Sequence, residues 1–289
     1  MRLKRKTKES LTGYSFISLW IIGFLVFTLI PIGRTAFLSF NKVKVTTEGI
    51  KTTFVGIQNY KDALLMDVQF VDTLITYLGE IIVYVPIILV FSLAMAMLLN
   101  MDIKFKGLFR TIFFLPVIIT SGPVIQKLIE KGATSIPSIT KVVESGIITQ
   151  AVPGVLGDII TTILSSLIVI LWFAGVPIII FIAGLQKIDR AVYEAASIDG
   201  ASKWESFWKI TLPALNPMVI LNVVYTIVTI SMFSVNGVIM HIQTKSFDDK
   251  WGLGYASAMS WIYFAVLLVI LGIFVLLVKP KSSKKVEKI

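Results

Sequence analysis

The 289 residues are 56% hydrophobic and only 15% charged, with a net charge of +10 and a mean hydropathy of +0.86. A soluble domain carries about 25% charged residues, so the composition excludes an ordinary soluble enzyme and predicts an all-α membrane protein. With no cysteine anywhere, disulfides, thiolate metal sites and a cysteine nucleophile are excluded as well.

In chain order, a basic tail (1–11, with Arg2, Lys4, Arg5, Lys6 and Lys8) precedes an apolar run from about Tyr14 to Ile32. That run is longer than the roughly 7–15-residue core of a secretory signal, and no small-x-small cleavage site follows it, so a retained first helix is expected. Apolar segments predict six spans at 12–38, 73–99, 107–129, 158–185, 214–240 and 254–278. They form a single transmembrane domain (12–278), followed by a basic tail (279–289). An even number of spans puts both termini on one side, and the charges identify it. Seventeen of the 27 Lys and Arg residues fall in 1–10, 101–110, 186–209 and 279–289. The opposite segments, 41–72, 127–158 and 241–250, hold nine basic and nine acidic residues. Cytoplasmic loops are enriched in Lys and Arg, so both termini are expected in the cytoplasm. The excess of positive charge then faces anionic lipid at helix ends, which argues against a nucleic-acid partner.

The outer segment of about 130–157 is long for a helical bundle. Within it, Ser135-Ile136-Pro137 is placed to open a short helix carrying Ile136, Ile139, Val142 and Val143 on one side. Its role, on the membrane or against an external protein, is left open by the sequence.

Between the fourth and fifth of these spans lies EAASIDGASKWESFWKITLPALNP (Glu194–Pro217). Asp189–Asp199 is helix-compatible and Gly200 supplies the permissive φ of a helix end. Ser202 and Glu205 have the spacing of a capping box. Trp204, Phe207 and Trp208 then share one stripe, and Pro213 and Pro217 punctuate the entry to the next span. A compact helix–Gly–helix knob is therefore expected over about 187–213. Physical reasoning leaves two roles open for it, an interfacial linker anchored by its Trp residues and a docking surface for a partner.

The pattern Glu194-Ala195-Ala196, three residues, Gly200, nine residues, Ile210-x-Leu212-Pro213 resembles the EAA loop of ABC-importer permeases. Ile198–Ala201 matches the IDGA form found in sugar-type members. FVGIQNY (54–60), FKGLFRTIFFLP (105–116) and AGLQKID (183–189) resemble other stretches of the same family. Asp72-Thr73 stands where Asn-Thr is usual, and Asp189 replaces a frequent Pro. The resemblance implies that the knob is a coupling helix seated on a cytoplasmic ATPase dimer, with Glu194, Ala195, Ala196, Asp199, Gly200, Trp204, Leu212 and Pro213 as its principal residues. It also implies a second permease subunit, usually a different one, and an extracytoplasmic substrate-binding protein. ATP and Mg²⁺ belong to the ATPase subunits, and no cofactor is expected on this chain.

No GxxxxGK[ST], HExxH or GxSxG occurs, and His241 is the only histidine, so no phosphate cradle, metalloprotease site or serine nucleophile elbow is present and the chain is not expected to be an enzyme. His241 is expected as a satisfied surface residue. Glu80 is an intramembrane carboxylate and so a candidate for the substrate path or for a helix–helix contact. In the related maltose-type permeases the helices flanking the EAA loop line the sugar site, which makes Trp172, Phe173, Thr226, Thr229, Phe233 and Ser234 candidates here. Aromatic faces and hydroxyls suit a sugar, although Ser and Thr also bind membrane helices to each other. The expected function is therefore the permease subunit of a carbohydrate importer, for a glycoside or oligosaccharide. The alternatives are an ABC permease for a polyamine, phosphate or phosphoglycerol compound, a secondary transporter, or a membrane scaffold.

Overall fold

The computed structural model describes residues 5–46, 49–101, 107–108, 111, 127, 137–165, 167–233 and 236–278. It comprises two compact units, one of residues 1–74 and 238–266, the other of 75–237 and 267–289. Among the described residues, three helices are long and apolar enough to cross a membrane, and five spans result if each of two bent pairs counts as one. The span expected at 107–129 and the tail 279–289 lie almost wholly outside the described residues.

The first unit opens with α1 (Arg5–Phe24) and α2 (Ile30–Ser39), joined by a π turn at Leu25–Leu29. The wide turn has a local cause. Pro31 lacks an N–H, and its ring would meet the Phe27 carbonyl four residues back. The helix begins within the expected tail, at Arg5, because Lys, Arg and Glu are good helix formers. A two-stranded antiparallel hairpin follows, β1 (Asn41–Thr46) with β2 (Gly49–Phe54), so the fold is mostly helical rather than all-α. Its cause is legible after the fact, since NKVKVT alternates polar and β-branched residues with period two. Next comes α3 (Gln58–Leu65), leading into α4 (Val68–Asn100), whose first turns belong to this unit. After the second unit the chain returns here as α13 (Gly237–Ser246) and the first half of α14 (Gly252–Val278). Asn59 fastens the end of the first span, its side-chain amide donating to the carbonyls of Ser39 (2.9 Å) and Asn41 (3.0 Å). Tyr60 donates to the Ser39 hydroxyl at 2.7 Å. These two residues of FVGIQNY thus satisfy buried acceptors that water does not reach.

The second unit holds the rest of α4, then α5 (Pro137–Glu144), α6 (Ile147–Ala151), α7 (Val155–Ser165) and α8 (Leu167–Leu185). After the knob, α12 (Asn216–Ser231) packs on α8. Gly184 permits this, because a Cβ there would stand 2.6 Å from Met218 Cγ and 2.7 Å from Leu215 Cδ2. Two expected spans differ in form. The segment 158–185 is not one rod, since α7 and α8 meet at 83°. The span placed at 214–240 ends at Ser231, after which the chain turns and α13 begins. Apolarity joined these two pieces, whereas Asn236-Gly237 is a turn signal within them.

Candidate functional site

The segment 187–213 forms the knob from local rules. Asp189 caps α9 (Arg190–Ile198), its carboxylate accepting from the Ala191 N–H at 3.0 Å. The residue that departs from the family pattern is therefore a helix starter in its own right. At the other end Gly200 takes φ +81°, a left-handed conformation that Gly adopts without penalty, and closes the helix. Ser202 and Glu205 complete a reciprocal capping box for α10 (Lys203–Ser206). A second π turn, Phe207–Thr211, leads to α11 (Leu212–Ala214). It again precedes a proline, Pro213, whose ring would meet the Lys209 carbonyl. The axis then bends by 64° into α12. The two halves of the knob are tied by Tyr193 and Thr211, whose hydroxyls lie 2.8 Å apart.

On this frame Trp204, Phe207 and Trp208 form a ring cluster with centroids 5.1–6.2 Å apart. Ile198 is 87% exposed, Trp204 69% and Trp208 49%. Glu194, Ala195, Asp199, Gly200 and Pro213 are exposed too, while Ala196 and Leu212 are half-buried. The knob thus presents apolar side chains and a carboxylate on a scaffold whose own polar groups are largely satisfied. Exposed apolar clusters of this kind mark binding surfaces.

The candidate path residues gather only in part. Phe173 on α8 meets Phe233 edge to face, with centroids 5.1 Å apart. Trp172 is half-buried beside Phe173 in the chain. Thr229 donates to the Tyr225 carbonyl at 2.8 Å, so its donor is already used within α12. Thr226 is fully buried with its hydroxyl unpaired, as is Oδ1 of Asn222 one turn earlier. The Asn222 side-chain amide donates to the Pro177 carbonyl at 3.3 Å. Ser234 lies outside the described residues, and Glu80 sits exposed on α4 with no ion-pair partner among them. Sequence reasoning missed a polar seam in this unit, in which Tyr77 donates to Ser231 (3.1 Å) and Ser92 to the Ala174 carbonyl (3.3 Å). The signal available was a hydroxyl on each helix otherwise rich in apolar residues.

His241 is satisfied but not on the surface. It is buried in the first unit, with Nε2 3.0 Å from Asp67 Oδ2. Tyr255 donates to the same oxygen at 3.0 Å and the Phe70 N–H to Oδ1 at 3.0 Å. Burial alone would raise the Asp67 pKa, yet the bonds from His241, Phe70 and Tyr255 outweigh it and hold the carboxyl below its usual 3.8. Asp67 and its partners come from three distant segments, so spacing could not reveal them. No cluster of three or more His, Cys, Asp or Glu able to hold a metal occurs among the described residues.

With this geometry the chain resembles several known proteins. "Probable ABC transporter permease protein YesP" of Bacillus subtilis is 32% identical, covering 96% of this chain and 92% of the relative. "Lactose transport system permease protein LacF" of Rhizobium radiobacter is also 32% identical, covering 80% and 77%. "Multiple sugar-binding transport system permease protein MsmF" of Streptococcus mutans is 31% identical, covering 74% and 72%. A chain of a solved bacterial ABC transporter for the acidic polysaccharide alginate shares the fold, with a TM-score of 0.63 at 19% identity over 97% of this chain and 99% of that one. Residues 63–279 match the family of binding-protein-dependent transport system inner membrane components, and the chain belongs to that family, a multi-pass permease subunit of an ABC importer in the cytoplasmic membrane and not an enzyme.

Proposed function

We propose that this subunit forms half of the pathway for a carbohydrate, a glycoside or oligosaccharide, and couples it to a cytoplasmic ATPase dimer through the knob 187–213. Permeases of this family work with a second permease and a substrate-binding protein. A heterodimer is the arrangement proposed here. Carbohydrate as cargo is supported by relatives described as transporting lactose, multiple sugars and arabinooligosaccharides. The proposed topology has six spans with both termini in the cytoplasm, which puts the knob on the ATPase side. ATP and Mg²⁺ act on the ATPase subunits, and this chain contributes no cofactor.

The observation that carries the coupling role is the knob's construction, in which a helix pair, capped at both starts and tied through Tyr193 and Thr211, leaves Ile198, Trp204 and Trp208 exposed. A linker that only rests on headgroups has no need of such rigidity. Glu194, Ala195, Ala196, Asp199, Gly200, Trp204, Leu212 and Pro213 make or shape the contact. Closure of the ATPase dimer on ATP pushes the knob, and the 64° bend turns that push into movement of α12. Trp172 and Phe173 on α8, Thr226 and Thr229 on α12, and Phe233 and Ser234 after it in the sequence serve the sugar path, with Glu80 on α4. The Phe173–Phe233 pair supplies apolar ring faces suited to sugar C–H groups.

The test uses Glu194→Lys and Gly200→Asp in the reconstituted importer. Both variants are expected to insert and assemble, yet to lose ATP-driven sugar uptake. Uptake at the wild-type rate in either would remove the coupling assignment.

A further inference from the structure

We infer that α7 is an interfacial helix of the outer leaflet, with its apolar side in the acyl chains and its polar stripe among the headgroups. The inference rests on the topology proposed above, which puts the α7 end of α8 at the outer surface of the membrane.

α8 comprises 19 residues, none of them charged. At about 1.5 Å per residue it is about 28 Å long, close to the roughly 30 Å of a hydrocarbon core. The fourth crossing is therefore complete without α7, and α8 makes it only by standing steeply. Since α7 meets α8 at 83°, it runs nearly parallel to the membrane surface. Its sequence, VLGDIITTILS, places Asp158, Thr161, Thr162 and Ser165 at i, i+3, i+4 and i+7, which is one stripe. Aliphatic residues occupy the other side, where Val155 (74%), Leu156 (66%) and Ile160 (37%) are exposed. A helix divided in this way lies in an interface, half in each medium.

The surroundings of α7 select lipid as the occupant. The end of α6 packs against its other flank, where Gly157 is buried and any Cβ would collide with the Val152 carbonyl. Gly157 is one turn from Thr161, at the edge of the polar stripe, so the apolar side stays open. The hydroxyls of the stripe are satisfied within the helix. Thr161 donates to the Gly157 carbonyl at 2.7 Å, Thr162 to Asp158 at 2.8 Å and Ser165 to Thr161 at 2.8 Å. The open side also lacks what a second permease would grip. Membrane helices approach through small residues, and protein interfaces are anchored by Trp, Tyr and Arg, whereas this side holds only Val, Leu and Ile. Such side chains suit acyl tails. α7 thereby holds the outer end of α8, the helix of Trp172 and Phe173, at a fixed depth.

The experiment places single cysteines, L156C, I160C, D158C or S165C, in the complete importer, which is spin-labelled and held in nanodiscs. Collisions with membrane-soluble oxygen and with a water-soluble nickel chelate report the depth of each label. Labels at L156C and I160C are expected to meet mainly oxygen, about 5–10 Å below the phosphates. Those at D158C and S165C are expected to meet mainly nickel. Recovery of each variant with the second permease and ATPase at the wild-type ratio shows that the label reports the native fold. Nickel dominating at L156C and I160C would overturn the inference, because α7 would then stand in water. Shielding from both reagents at these positions would also overturn it and make a protein the occupant. The topology is read separately, with an impermeant thiol reagent that should reach D158C from outside intact cells. Reaction only in opened cells would overturn the topology, and the depths would then refer to the inner leaflet.

Discussion

Asp67 has the most demanding environment of any described carboxylate outside the spans. Its oxygens take the His241 ring, the Tyr255 hydroxyl and the Phe70 N–H. Removing an acceptor of charge-assisted bonds costs about 2–3 kcal/mol, so Asp67→Asn is expected to lower the thermal midpoint in detergent. The sign of the pH effect follows from the depressed pKa. Its stabilising contribution is complete above the unfolded value near 3.8 and is lost as pH falls through the folded value. Wild type should therefore lose stability more steeply below about pH 4 than Asp67→Asn does. Parallel acid limbs would show that the carboxylate is not held this way. At Thr226 the question is different, because its buried hydroxyl is unpaired. Thr226→Val removes an unsatisfied group at nearly constant volume, so stability should change by less than about 1 kcal/mol. If Thr226 meets sugar during transport, uptake falls while stability holds. Unchanged uptake would leave the residue a structural one.

The elements show which local rules can be read without coordinates. The capping box of Ser202 and Glu205 and the left-handed Gly200 were legible, since each is fixed by a few neighbouring residues, whereas Asp189 was read as a helix residue and not as the N-cap that it forms. The π turns before Pro31 and Pro213 were not, because a proline can be met by a kink, a helix end or a wider turn. The hairpin was passed over because its signal is six residues long inside a chain read for spans of about 20. Long-range polar ties, Asn59 to Ser39 and Tyr77 to Ser231, have no sequence period at all. The hairpin's mounting gives a sharp test. In Gly254→Ala the new Cβ runs into the Asn41 carbonyl, a backbone atom that cannot rotate away. A loss of about 1–3 kcal/mol is expected from such overpacking, read as a lower thermal midpoint. Wild-type stability in this variant would mean that α14 does not approach the hairpin so closely.

For the molecule as a whole, the distribution of charge carries the topology. The proposed topology, drawn from the positive-inside rule, puts both basic ends on the cytoplasmic side. Reporters that fluoresce only in the cytoplasm should therefore be bright when fused to either terminus and dark when inserted near residue 48. A dark terminal fusion would reverse the arrangement and put the knob on the wrong side for an ATPase. Six spans were counted from apolarity, which registers hydrocarbon but not the breaks that divide it, hence the 83° bend within 158–185 and the turn after Ser231 within 214–240. In the proposed coupling, the 64° bend at the knob turns a push at one end into movement at the other.

The central claim is contact between the knob and an ATPase, and the absence of native cysteines makes it directly accessible. A single cysteine at Ile198 or Trp204, both exposed, would be labelled in native membranes with a thiol-reactive photo-crosslinker. The account predicts a product containing a cytoplasmic ATPase subunit, with a yield that changes between nucleotide-free and ATP-bound states. Efficient labelling that yields crosslinks only to lipid would contradict it and leave the knob an interfacial linker.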